Sequence, residues 1–145
     1  GTAARAWSFA QPPQSTLKRA VVPIVRTDIL VGQIQIINNG GERQLHSHTG
    51  MDGFWMVLKG RVRFYGPGDK LIGEFGPHEG TVTPRYSRYW FENASTGDDE
   101  LELMQIAASD TVGNKSGRTD IDPRKMAFAD PSEIIHMPSK RDAAE

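Results

Sequence analysis

The chain contains no cysteine, which excludes a disulfide framework and any thiolate chemistry, whether catalytic or metal-binding. The fold must rest on its core and on association. Long hydrophobic runs are also missing: nothing approaches the ~18 consecutive apolar residues of a membrane-crossing helix. No charged-then-apolar leader opens the chain, and because residue 1 is Gly rather than Met, whether a leader was removed stays open. Neither sign of charge dominates, with 17 Lys plus Arg against 18 Asp plus Glu. The basic residues are scattered, so the electrostatic footprint of a nucleic-acid binder is missing. These absences predict no nucleic-acid partner and no membrane; the compartment stays open, with the cytoplasm as the first expectation. Arg61, Arg63, Arg85 and Arg88 come nearest to a basic cluster; they read as solvated strand edges, or alternatively as a carboxylate contact beside a binding site. Serine-hydrolase elbows, phosphate loops, His-Glu-x-x-His and dinucleotide fingerprints are all lacking.

What is present points to one domain, since 145 residues at 37% hydrophobic suffice for a single core and not for two ordinary ones. Residues 1–27, with Pro12, Pro13 and Pro23 and isolated apolar positions, read as an extended arm. Residues 29–37 form the first clear strand, with Gln33 and Gln35 on one face and Ile34 and Ile36 on the other. Which face is interior stays open. Asn38 to Gly41 is a turn, and residues 42–48 are a strand. Residues 53–59 and 61–66 read as a hairpin about Lys59-Gly60. Further short strands are expected over 70–75, 81–83, 88–92 and 100–107. From 109 to 145 the chain turns polar, with a helical turn expected at Asp130-Pro131. Short strands with regular turn signals suit an antiparallel all-β sandwich or barrel.

The most informative motif is His46-Ser47-His48. Positions i and i+2 of a strand share a face, and neutral imidazole is the commonest transition-metal ligand. The pair stands between a Gly-rich turn and an apolar run, Phe54 to Leu58, that closes on Gly60. Gly40, His46, His48 and Gly60 together resemble the first motif of the cupin superfamily. Pro84 and Asn93 resemble its second. Three motif positions differ: Gly53 stands where the family has a glutamate, Tyr86 where it has a glycine, and Tyr89 where it has a third histidine. The resemblance spans about residues 28–107. It implies an antiparallel double-stranded β-helix, the jelly-roll cupin barrel, over residues 28–108, with residues 1–27 as an extended N-terminal arm and residues 109–145 as a polar extension. It also implies a homodimer formed through sheet edges and arms.

A divalent transition metal (Fe, Mn, Ni, Cu or Zn) on His46 and His48 is the expectation that follows, with Tyr89 as a third ligand or as a pocket-lining group. Asp52 would replace the missing carboxylate only through a bulge, because alternation from Trp55 and Val57 turns Gly53 inward and Asp52 outward. Gly53 would then leave the pocket more room. Gln44 shares a face with the histidines and is expected to contact substrate. Trp55 and Phe91 are core residues first and apolar pocket walls second. His78 and His136 fit no ligand spacing. The functional expectation is a metal-dependent enzyme acting on a small, partly hydrophobic organic molecule, of isomerase, cyclase, decarboxylase or dioxygenase type, with Tyr89 or His48 moving a proton. A metal-free ligand-binding barrel and a metal-free acid/base enzyme of epimerase type remain the alternatives.

Overall fold

A computed structural model of the chain describes residues 3–11, 19–38, 46–48, 50–97, 99–109, 118–120 and 132–134, of which 46–48, 118–120 and 132–134 are described through their backbone alone. The strands are β1 (Arg19–Arg26), β2 (Leu30–Ile37), β3 (His46–His48), β4 (Met51–Lys59), β5 (Val62–Tyr65), β6 (Leu71–Phe75), β7 (Gly80–Thr83), β8 (Trp90–Asn93), β9 (Leu101–Ser109), β10 (Arg118–Asp120) and β11 (Ser132–Ile134). Among the described residues the only helical element is a 3-10 turn, Pro67–Asp69. No helix there is long and apolar enough to cross a membrane. The all-β expectation holds.

The strands form a six-stranded sheet in the order β11-β1-β2-β9-β4-β7, a three-stranded sheet β6-β5-β8 and a two-stranded ribbon β10-β3. Every pairing is antiparallel except β1 with β11. The two larger sheets face one another across one core. Ile37, Trp55, Val57, Leu101 and Leu103 come from the first, and Val62, Phe64, Tyr89 and Phe91 from the second and the residue leading into it. Burial follows the two-residue period. Along β4, Gly53, Trp55 and Val57 are buried while Asp52 and Phe54 are exposed. Each fully buried Leu, Val or Phe of this set contributes ~1.5–3 kcal/mol relative to exposure.

Four features depart from the sequence expectations. Residues 19–26 belong to the sheet rather than to a free arm; Pro23 is tolerated because it stands at a bulge, beyond the reach of β11. β4 and β5 are not a hairpin: β4 pairs with β7 and β9, while β5 pairs with β6 and β8. Gly60, at φ +85°, turns the chain from one sheet into the other, and the Arg61 amide donates to Ser95 Oγ at 2.9 Å instead of joining a ladder. Ser132–Ile134, within the segment expected to start a helical turn, is a strand alongside β1. Finally, the described strands form separate sheets around a shared core rather than one closed barrel.

Candidate functional site

Ladder register defines the inner face of the six-stranded sheet as successive cross-strand rows. One row runs Ile37–Leu101, the next Gln35–Leu103–Val57, then Gln33–Gln105–Trp55–Thr81, then Val31–Ala107–Gly53–Thr83. The lower rows are mostly apolar and merge with the aromatic cluster. The upper rows carry carboxamides and hydroxyls. Gln105 Oε1 accepts from Gln33 Nε2 at 2.7 Å and from Gln35 Nε2 at 3.1 Å. Ile34 and Ile36 take the opposite face, where they pack with Ala20, Val22 and, from the arm, Phe9. The glutamines of β2 are therefore interior.

Beside this cluster, the Trp55 indole donates to Thr83 Oγ1 at 3.0 Å, wholly buried. Gly53 makes that contact possible, since a β-carbon on it would lie 2.5 Å from Thr83 Oγ1 and 3.2 Å from Trp55 Nε1. The expectation that Gly53 leaves the pocket more room is corrected on this point: the threonine hydroxyl and the indole already occupy the space. Asp52 faces outward, as alternation requires. Its Oδ1 accepts from the Arg85 amide at 2.9 Å and from Arg85 Nε at 3.2 Å, which ties down the loop after β7.

Tyr89 and Phe91 extend the three-stranded sheet's side of the core. Tyr89 is 2% exposed and Phe91 1%. Trp55 meets Phe64, Phe91 and Tyr89 at ring-centroid distances of 5.4, 5.2 and 5.9 Å, in edge or tilted arrangements that are worth more than their buried area alone. Tyr89 is thus a wall of the interior beside Trp55. His46 and His48 lie in β3, paired in register with Asp120 and Arg118, so the extended backbone puts both histidines on one face of the ribbon and Ser47 on the other. Gln44 and His136 lie outside the described residues. His78 is an exposed turn residue whose amide donates to the Val57 carbonyl.

The donor set fits a metal in part. Histidines two apart in a strand have a spacing that suits a divalent first-row ion, but the position of the family carboxylate is closed by Thr83 and Trp55, and Asp52 is engaged by Arg85. Among the described residues no other group of His, Asp and Glu could hold an ion.

The motif positions that survive have structural tasks. A β-carbon on Gly60 would lie 2.7 Å from the Glu100 carbonyl. Asn93 Nδ2 donates to the Ile37 and Asp99 carbonyls at 2.9 and 3.0 Å, and its Oδ1 accepts from the Ser95 amide at 2.8 Å, joining the two sheets at their corner. Tyr86, at the family's glycine position, keeps the glycine's backbone with φ +70° while its side chain is exposed. A bulky residue in that region is strained by ~1–2 kcal/mol.

Ionisable groups lie mostly outside. Arg61 and Arg63 both donate to Glu74, at 2.8 and 2.6 Å, and these hydrogen bonds hold the Glu74 carboxyl below its usual range. Arg85 is taken up by Asp52, so three of the four arginines of the expected cluster are paired with surface carboxylates, and of these three only Arg63 lies within a strand. Burial, and then Glu92 accepting its hydroxyl at 2.6 Å, push the Tyr65 phenol up. Burial likewise raises Glu102. Sequence reasoning missed Gln105 and Thr83. Alternation from Leu101 and Leu103 would have placed Gln105 inside, whereas nothing in the sequence signals the Trp55–Thr83 bond.

Neither a family model nor a curated protein matches the sequence. Solved structures do match by shape. An uncharacterized conserved protein with a double-stranded β-helix domain from Klebsiella pneumoniae superposes with a TM-score of 0.61 at 14% identity, over 76% of this chain and 90% of that one. KdgF from a Halomonas species gives 0.56 at 14%, over 72% and 86%. Pac13, described as a unique nucleoside dehydratase, gives 0.53 at 13%, over 67% and 72%; a variant of the Streptomyces protein is solved with uridine. At such identities the likeness speaks for architecture. With two facing antiparallel sheets, a glycine-turned corner and these neighbours, the fold of this chain is the double-stranded β-helix.

Proposed function

We propose that this protein is a cupin-type enzyme that holds a divalent transition metal on His46 and His48 and acts on a small, partly hydrophobic organic molecule between the sheets. The observation that supports the reading is that His46 and His48 fall two apart in the strand β3, the spacing at which residues share a strand face. When bound, the ion would supply Lewis acidity toward a carbonyl or enediol oxygen. Trp55 and Phe91 would wall the apolar side of the substrate, Gln44 would contact its polar side, and Tyr89 or His48 would give or take a proton. Loss of the family carboxylate favours isomerase, cyclase, decarboxylase or dehydratase chemistry over oxygen activation, which draws on a two-His, one-carboxylate triad. The dehydratase among the fold neighbours agrees with proton-transfer chemistry. A homodimer belongs to the same proposal, supported by the exposed Trp7, Phe54 and Val82. So does a division into arm, β-domain and polar extension in which residues 19–26 and 132–134 belong to the β-domain.

A metal-free enzyme or binding protein is the second reading, favoured by the closed carboxylate position at Gly53 and the outward Asp52. Elemental analysis of protein purified without chelator or a His tag separates the two. Near-stoichiometric metal that both His46→Ala and His48→Ala abolish is expected. A metal-free wild type that takes up no iron, manganese, nickel, copper or zinc on reconstitution would overturn the metal reading and leave the second.

A further inference from the structure

The N-terminal arm is fixed to the six-stranded sheet on both sides of Trp7. Before it, Arg5 Nη2 donates to the Arg26 carbonyl at 3.0 Å. After it, Phe9 packs on the outer-face cluster of Ala20, Val22, Ile34 and Ile36, and Gln11 Nε2 donates to the Glu100 carboxylate. Between these fixings the arm does not lie flat. Beneath it is a cleft of about 370 Å³ over β1, β2 and β9, within the ~300–1,000 Å³ range of small-molecule sites.

The floor follows from alternation and one bulge. Leu30, Gly32, Met104 and Ile106 take the outer face in adjoining rows, and the register shift between Pro23 and Val25 brings Ile24 and Val25 both to the cleft. Gly32 adds no side chain, and a β-carbon on it would lie 2.9 Å from Val25 Cγ2. Ala3, Ala4 and Trp7 line the arm's side, where the indole is 48% exposed although the chain is held before and after it. An arm whose task was only to cover the sheet would close such a gap, because an apolar void forfeits the dispersion contacts of close packing.

Only Arg5, Thr27 and Gln33 of the lining are polar, and each is bonded within the protein. Arg5, the one charged residue among them, clasps the arm to the Arg26 carbonyl. Thr27 Oγ1 accepts from the Leu30 amide at 3.0 Å, and Gln33 Nε2 donates to Gln105 at 2.7 Å. A ligand therefore meets hydrocarbon, the Trp7 ring and the Met104 thioether, which adapts to irregular shapes. A charged ligand group would lose its hydration against this surface. A flat sheet of a second copy would meet the arm before the floor. Phe54 and Val82, the exposed end of the Gly32–Ile106 row, lie outside the cleft.

We propose that the cleft between the arm and the outer face of β1, β2 and β9 binds a nonpolar small molecule of hydrocarbon or aromatic type. The site is on the opposite side of the sheet from Trp55 and depends neither on a metal nor on a substrate between the sheets.

N-phenyl-1-naphthylamine, an uncharged probe that brightens in apolar surroundings, tests it by titration against full-length protein. A saturable rise in probe emission at one site per chain is expected, with tryptophan emission falling in step. Trp7→Ala should weaken the probe about tenfold, through loss of an aromatic wall. Ile106→Glu, which puts a charge in the floor, should abolish binding. Trp7→Ala alone carries the test if Ile106→Glu does not fold, since Trp7 is on the arm. Phe54→Ala should leave the affinity in place. The sulfonate 8-anilino-1-naphthalenesulfonate, with the same rings and a negative charge, should bind about tenfold more weakly. No saturable rise up to the solubility of the probe, undiminished binding to Trp7→Ala, loss on Phe54→Ala instead, or equal affinity for the sulfonate would overturn the proposal. A dimer that takes no probe and becomes monomeric on Trp7→Ala would overturn it in favour of a second copy in the cleft.

Discussion

The two faces of the six-stranded sheet differ where β2 meets β9. Inward, β2 presents Gln33 and Gln35 and β9 presents Gln105; outward, the same strands present Ile34, Ile36, Met104 and Ile106. The outer row continues across Phe54 and Val82, which are 45% and 59% exposed. Among the described residues, Phe9 of the arm packs on this face, and Ala3, Ala4 and Trp7 stand beside Leu30, Met104 and Ile106. A sheet whose sole task was to close a core would carry aliphatic residues at the three glutamine positions as well, because unmatched amides are destabilising inside. The difference teaches that the inner wall is shaped by what it hydrogen-bonds and the outer wall by what it packs against.

Adjacent residues on opposite faces give the largest expected contrast. Trp55, 2% exposed and in contact with three other rings, should lose ~3–5 kcal/mol of stability on replacement by Ala. Phe54→Ala should lose less than ~1 kcal/mol from the monomer and shift light scattering at micromolar concentration toward monomer, since the outer row is where a second copy would dock. Urea denaturation of the two variants measures the first difference. Equal losses would break the comparison. A wild type that is already monomeric would remove the homodimer and leave the inner-face argument intact.

A smaller effect sharpens the inner wall itself. Gly53→Ala would push a methyl into Thr83 Oγ1, and the expected outcome is loss of the Trp55–Thr83 hydrogen bond with ~1–3 kcal/mol of stability. Adding Thr83→Ala vacates the contested space. The double variant should then be more stable than the sum of the singles predicts, a coupling that a double-mutant cycle reads directly. Trp55 fluorescence should shift in both Gly53 variants. A neutral or stabilising Gly53→Ala would mean that the glycine has no packing reason and that the carboxylate position is open after all.

The same contrast explains what the sequence could reveal. Turn and corner residues are dictated by backbone demands that few residues meet, so Gly60, Pro84 and Asn93 spelled out the fold although two of the four usual metal-ligand positions had changed. Alternation correctly separated Gln33 and Gln35 from Ile34 and Ile36, and Gly53 from Asp52. It cannot say which face is interior. Hydrophobicity would have chosen the isoleucines, and the arm that covers them is far away in sequence. The Lys59-Gly60 turn misled for a related reason: a glycine between two strands reads alike whether the strands pair or change sheets. Pro23 hid β1, because a bulge that tolerates proline has no sequence signature. The Gln33–Gln35–Gln105 cluster depended on register between strands some seventy residues apart, which no local pattern encodes.

The outer face of the three-stranded sheet supplies the smallest test, because it is charged where the six-stranded sheet's is apolar. Arg63 lies opposite Glu74 in the ladder and Arg61 reaches the same carboxylate. Both arginines hydrogen-bond the ionised form and hold Glu74 below its ordinary value. A depressed carboxyl stabilises the fold above its unfolded-state value and loses that contribution as pH falls through the folded one. Glu74→Gln should therefore lower the urea midpoint slightly at pH 7, and the gap to wild type should close on acidification below the glutamate range. Because the pair is solvent-exposed, molar salt should shrink the gap as well. A gap that persists at pH 3 would show that Glu74 acts through packing, and the two outer faces would then differ less in kind than their composition implies.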